Sequence, residues 1–200
     1  MTGVQTCALR SLLNIANALT VVRLVLVPVF IWLMFRSGDA VRLVAALVFA
    51  LAAATDRLDG QLARSRNLVT SFGKIADPIA DKALTLSAFV LLSVAGRLWW
   101  WVTVLIIVRE LGITLMRFVM LRRAVMAASR GGKLKTALQV TGIFGLLVPW
   151  AAFVPPVLAT ALDLAAYALV GSALVVTLVT GADYVLEALR LSRADPGGRP

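Results

Sequence analysis

Six long apolar stretches, Ile15–Phe35, Ala40–Ala54, Ile75–Ala95, Leu98–Leu121, Thr136–Val154 and Leu158–Leu186, take up most of this chain. A membrane-spanning helix needs about 20 mostly apolar residues, and the runs are of that order. They are far longer than barrel strands and lack the alternation of strands. Only 15% of the residues are charged and 60% are hydrophobic, whereas a soluble domain carries about a quarter charged residues. A single water-solvated core cannot hide this much apolar side chain in 200 residues. The expected fold is therefore all-α, a polytopic membrane protein with six transmembrane helices. The first run continues through Pro28, Trp32 and Phe35 with no small-residue cleavage pattern, so it reads as a span and not as a cleaved signal peptide.

The charges between the runs orient the bundle. Lys and Arg number 20 against 10 Asp and Glu, a formal net charge of +10. In a soluble chain such an excess would suggest nucleic acid; in a membrane chain it marks cytoplasmic loops and anionic headgroups, and no nucleic-acid partner is expected. Arg36–Arg42 holds two Arg and one Asp, Arg57–Lys74 three Arg and one Lys, and the third link only Arg97, beside Trp99, Trp100 and Trp101. Arg122–Lys135 holds three Arg and two Lys, while the link at Pro155 and Pro156 is uncharged. This alternation predicts that both termini are cytoplasmic, in a bacterial inner membrane, with the Trp triplet in an outer aromatic belt. The Ala-, Val-, Leu- and Arg-rich usage points to a GC-rich bacterial source.

One domain is expected over residues 12–192, with residues 193–200 as a disordered tail. Val4–Ser11 resembles a translated sequencing-adapter oligonucleotide, so residues 1–11 are read as a non-native lead-in, the alternative being a short amphipathic segment.

With no histidine and one cysteine, His-based catalysis, disulfides and Cys-cluster metal sites are excluded. The chemistry must come from carboxylates, Arg, Lys, hydroxyls and backbone. Asp56 and Asp59 are three residues apart and Asp77 and Asp81 four apart, so on helices each pair shares a face. Their alternative is a set of solvated charges paired with Arg57, Arg64, Arg66, Lys74 and Lys82. Two such faces meeting across a short turn would converge four carboxylates, which must protonate or bind cations. All-oxygen ligands select hard ions, so Mg²⁺ or Mn²⁺ is expected, as two ions, the device used for displacement at phosphorus. Gly60 would let backbone approach a phosphate, Arg64 would neutralise phosphate charge, and Pro78 suits an early turn of the third helix.

The stretch Asp56 to Asp81 carries the pattern D-x2-D-G-x2-A-R-x8-G-x3-D-x3-D in full. It resembles the signature of the CDP-alcohol phosphatidyltransferase family, and the six-span layout is similar over nearly the whole chain. The resemblance implies that Asp56, Asp59 and Asp77 bind two divalent ions. It implies that Asp81 completes the metal site and acts as general base, and that Gly60 and Arg64 hold the CDP moiety. The donor would be CDP-diacylglycerol and the product alcohol ester would form with release of CMP in a single displacement.

The acceptor pocket should reveal the acceptor's charge. Arg109 and Arg117 lie about two turns apart on one broad side of the fourth helix, and Lys133 and Lys135 open the fifth. Together they could bind a phosphate monoester, the alternatives being pairing with Glu110, snorkelling, or an ordinary positive loop. The Arg109-Glu110-x6-Arg117 and Gly132-Lys133-Leu134-Lys135-Thr136 segments resemble the branch of the family that uses sn-glycerol 3-phosphate and makes phosphatidylglycerophosphate. Asn14-Ile-Ala-Asn17-Ala-Leu-Thr20-Val-Val-Arg23 resembles the opening of that branch, with Ala16 in place of its usual Pro. Asn17, Thr20 and Arg23 would line the nucleotide site, unless Asn17 is a cap and Arg23 an interface anchor. Other acceptors within the family are inositol phosphate, or phosphatidylglycerol for cardiolipin. A non-catalytic divalent-cation transporter is a distant alternative, and its polar residues should extend across the membrane, which these do not. A homodimer is expected, with Gly142, Gly145 and Gly171 available for close helix packing or for packing within one bundle.

Overall fold

The computed structural model describes residues 15–66, 71–120 and 130–194, with side chains for 21–55, 82–116 and 134–182. Among the described residues the chain is all-helical. Six α-helices follow in order: α1 Ile15–Met34, α2 Asp39–Arg66, α3 Ser71–Val94, α4 Trp100–Met120, α5 Arg130–Leu147 and α6 Pro156–Ala194, with a 3₁₀ turn at Trp150–Ala152. Each apolar stretch corresponds to one helix; several helices outrun their stretch, while α5 stops at Leu147, short of the expected Val154, ahead of Pro149 and the 3₁₀ turn. α2 continues through Asp56 and Asp59 to Arg66, and α3 begins at Ser71. Pro78 therefore lies beyond the first turn of α3 and not in it. Bundled neighbours let a helix carry such a residue by satisfying the backbone group that it frees.

Local chemistry sets the helix ends. Gly38, with φ 115°, turns the chain into α2, whose first turn carries Asp39, a charge favoured at a helix N-terminus. Gly96, with φ 67°, closes α3. Gly96 N donates to Ser93 O at 3.1 Å and Arg97 N to Leu92 O at 2.9 Å, the Schellman pairing that satisfies the last carbonyls. Pro156 opens α6, where its missing N–H is no loss. The Trp150 indole N–H donates to Gly145 O at 2.8 Å and ties the 3₁₀ turn to the end of α5.

The interior is built from Phe30, Phe49, Phe89, Leu92, Ile106, Ile143, Leu146, Leu147 and Val170, all fully or nearly fully buried. Phe30 and Phe49 join α1 to α2 with ring centroids 5.7 Å apart. α5 packs most extensively on α6, and α1 on α2. Gly142 and Gly145 explain the first closeness: a Cβ at Gly142 would lie 2.8 Å from Val170 Cγ2, and one at Gly145 would lie 2.7 Å from Ala166 Cβ. Both glycines thus serve packing within this chain. A Cβ at Gly171 would meet nothing within 4 Å.

The outer face is apolar too. Val25, Trp32, Leu47, Leu51, Val104, Val108, Leu115, Leu164, Val175 and the Trp99–Trp101 triplet are all exposed. By length and composition Pro156–Ala182 can cross a membrane, and Val21–Met34, Lys82–Val94 and Leu134–Leu147 are shorter apolar stretches.

At one end of the bundle Arg97 holds three elements together. Its Nη2 donates to Asp163 Oδ1 at 2.9 Å and to Leu146 O at 3.4 Å, and Tyr167 Oη donates to Arg97 O at 2.7 Å. Asp163→Ala should take away this half-buried guanidinium's carboxylate and leave it the longer bond to Leu146 O. The expected loss is about 1–2 kcal/mol, between an exposed pair and a buried one, read as a lower melting temperature in detergent. An unchanged melting temperature would show that the pair contributes nothing.

Candidate functional site

The helices place the aspartate signature on two successive elements. Asp56, Asp59, Gly60 and Arg64 fall in the second half of α2, and Asp77 and Asp81 in the first half of α3. The backbone is helical through all six positions, so the three- and four-residue spacings are realised as single helix faces. Asn17 and Thr20 lie in the first turns of α1, Arg117 near the end of α4 and Lys133 in the first turn of α5. The side chains of Asn17, Thr20, Asp56, Asp59, Arg64, Asp77, Asp81, Arg117 and Lys133, and the surroundings of Gly60, lie outside what is described. Arg23, one turn after Thr20, is fully buried in the bundle and does not snorkel to an interface.

Immediately after Asp81 the side chains come into view, and they form an ionic hub. Lys82 Nζ on α3 donates to Glu110 Oε2 on α4 at 3.0 Å. Arg109 Nη1 donates to Glu110 Oε1 at 2.9 Å. Lys135 Nζ on α5 donates to the same Oε1. Arg109 then reaches across to α6, with Nε on Thr177 O at 2.8 Å and Nη2 on the Thr180 hydroxyl at 2.6 Å. That hydroxyl in turn donates a hydrogen bond to Val176 O at 2.7 Å. Gly181 leaves room for the crossing: a Cβ there would sit 3.2 Å from Arg109 Nε.

One carboxylate and three cations, all mostly buried, therefore tie α3, α4, α5 and α6 into one unit. Counted over the described residues, the hub keeps an excess of two positive charges. Among the described residues, no other bond uses the remaining N–H donors of Lys82 and Lys135. Such a cluster is suited to a dianionic phosphate, for which cations held in place are the needed feature.

Comparison with known proteins decides what kind of molecule this is. Residues 13–182 match the CDP-alcohol phosphatidyltransferase family profile. The chain belongs to the CDP-alcohol phosphatidyltransferase family. It is 50% identical over 180 residues to a Mycobacterium tuberculosis protein described as a probable phosphatidylglycerophosphate synthase, covering 88% of this chain and 82% of that one. It is 36% identical over 148 residues to the CDP-diacylglycerol–glycerol-3-phosphate 3-phosphatidyltransferase of Bacillus subtilis, covering 68% and 77%. With the enzyme of that name from Rickettsia typhi the identity is 39% over 136 residues, covering 68% and 76%.

As a family member the chain is an enzyme, and its hub refines the expected acceptor residues. Arg109 and Lys135 are brought together, as their grouping in the sequence suggested. They meet on Glu110, which also pairs with Arg109 as one sequence reading allowed. Lys82, Thr177 and Thr180 were missed. Lys82 follows a signature aspartate and reads as its counter-ion, while Thr177 and Thr180 sit in a nearly uncharged helix that reads as scaffold. Thr177 is used through its backbone carbonyl, which no side-chain pattern signals, and only Thr180 contributes its hydroxyl.

Proposed function

We propose that this enzyme transfers the phosphatidyl group of CDP-diacylglycerol to sn-glycerol 3-phosphate, giving phosphatidylglycerophosphate and CMP. The observation that carries the acceptor is the Lys82–Glu110–Arg109–Lys135 hub, with its positive excess directly beside the signature on α3. A phosphorylated acceptor uses that charge; a serine or choline acceptor would be repelled by it or leave it unused.

Asp56, Asp59, Asp77 and Asp81 are the residues that would hold two Mg²⁺ or Mn²⁺ ions. Their all-oxygen donor set and their helical spacing on α2 and α3 fit hard cations. When bound, the ions would supply Lewis-acid stabilisation of the pyrophosphate. Gly60, Arg64, Asn17 and Thr20 would bind the cytidine diphosphate portion. Arg109, Arg117, Lys133 and Lys135 would orient the acceptor phosphate. Asp81 would take the proton of the acceptor hydroxyl as its oxygen attacks the phosphorus that bears diacylglycerol. The new P–O bond forms as the bond to CMP breaks. The apolar outer face supports membrane spans, and the alternation of charged and uncharged links supports a cytoplasmic side for both termini and the site. A homodimer would have the Gly171 face of α6 available, since Gly142 and Gly145 are engaged inside the chain.

Membranes containing the protein, supplied with CDP-diacylglycerol, Mg²⁺ and one acceptor at a time, should make lipid product with glycerol 3-phosphate. A chelator should abolish the product, and added Mg²⁺ should restore it. Product only with inositol phosphate would overturn the acceptor, and no CMP release with any acceptor would overturn the reaction.

A further inference from the structure

We infer that Glu110 is the positioning residue of the acceptor site, setting where its cations stand; the inference rests on the phosphorylated-acceptor reading above. A carboxylate inside a phosphate pocket opposes the incoming dianion, so its place there needs a physical reason. Its bonds supply one. Oε1 takes Arg109 and Lys135 and Oε2 takes Lys82, so one side chain spaces three cations from three helices. Lysine stems are rotamer-rich, and like charges left together would drive them apart. With Glu110 in place the ammonium groups are held before substrate arrives, which is the preorganisation that binding requires.

Glu110 is itself restrained. It is 9% exposed, its neighbour Arg109 is braced on Thr177 and Thr180, and Thr114 hydrogen-bonds the Glu110 carbonyl at 2.6 Å. Through Lys82 the same carboxylate fixes the register of α3 one residue past Asp81. The acceptor's phosphate and the residue proposed to deprotonate its hydroxyl are thereby referred to one anchor.

The test uses the full chain in its membrane. Glu110→Gln preserves shape and removes the charge. KM for glycerol 3-phosphate should rise about tenfold or more while KM for CDP-diacylglycerol stays within about twofold. Inorganic phosphate, used as a competing anion, should lose inhibitory strength in parallel. Glu110→Asp keeps the charge and should recover part of the loss. An unchanged KM for glycerol 3-phosphate, or equal rises for both substrates, overturns the positioning role. Should Glu110→Gln not accumulate in membranes, Glu110→Asp and Lys82→Met carry the test: a selective rise in acceptor KM supports the role, and none overturns it. The wild-type acceptor panel separates the two ideas. Failure of the wild type to use glycerol 3-phosphate overturns the acceptor reading, whereas wild-type activity with an indifferent Glu110→Gln overturns this inference alone.

Discussion

Asp81→Asn is expected to lower turnover by about 10²–10⁴-fold, the range supplied by a positioned general base. The amide has nearly the same shape as the carboxylate but cannot accept the acceptor's proton at neutral pH. It also removes one negative charge from a set of four proposed to face two divalent cations. The chain has no histidine, so no imidazole stands by to replace it. The measurement is CMP release from CDP-diacylglycerol and glycerol 3-phosphate, with melting temperature and elution volume in detergent as folding controls. A folded Asp81→Asn enzyme within about tenfold of wild type would remove the general-base assignment.

The second large effect concerns stability. Gly145→Val would place a Cβ 2.7 Å from Ala166 Cβ and 3.6 Å from Ala166 Cα. Ala166 has no flexible end to move aside, so α5 and α6 must separate. The two γ-methyls of valine enlarge the intrusion. Overpacking of this kind costs about 3 kcal/mol, a fall in melting temperature of about 6–12 °C for a chain of this size. Gly171→Val is the control, because a Cβ there meets nothing within 4 Å and the change should stay within about 0.5 kcal/mol. Equal destabilisation by the two variants would show that helix propensity, and not the α5–α6 contact, governs both positions.

The helices and the aspartate signature were legible because both are local. An apolar run of sufficient length declares a helix, and the spacing from Asp56 to Asp81 declares two carboxylate faces before any packing is known. Partners were not legible. Glu110 meets Lys135 from 25 residues away and Lys82 from 28. Arg109 meets Thr180 from 71 residues away, and Arg97 meets Asp163 from 66. Periodicity says which side of a helix is polar but not which helix stands opposite. Glu110 therefore read as a partner for Arg109 and Arg117 on its own helix, although it is shared by Arg109, Lys82 and Lys135. Gly142 and Gly145 left inner and outer packing equally open until Val170 and Ala166 were seen against them. Helix ends were legible only where a special residue marked them, as at Gly96. Polar continuations such as Leu58–Arg66 carry no apolar signal to follow.

The long final helix also works as a ruler. Asp163, paired with Arg97, and Thr180, gripped by Arg109, are the polar fastenings of α6, and at about 1.5 Å per residue they stand about 26 Å apart along its axis. Bilayer hydrocarbon is about 30 Å thick, so the distance between these fastenings nearly matches a membrane's oily layer. A lipid environment with longer acyl chains would have to thin, or the bundle tilt less, to keep both ends wetted. Chain length in the surrounding phospholipid, the very product class this enzyme feeds, would thereby bear mechanically on the helix that braces its proposed acceptor site.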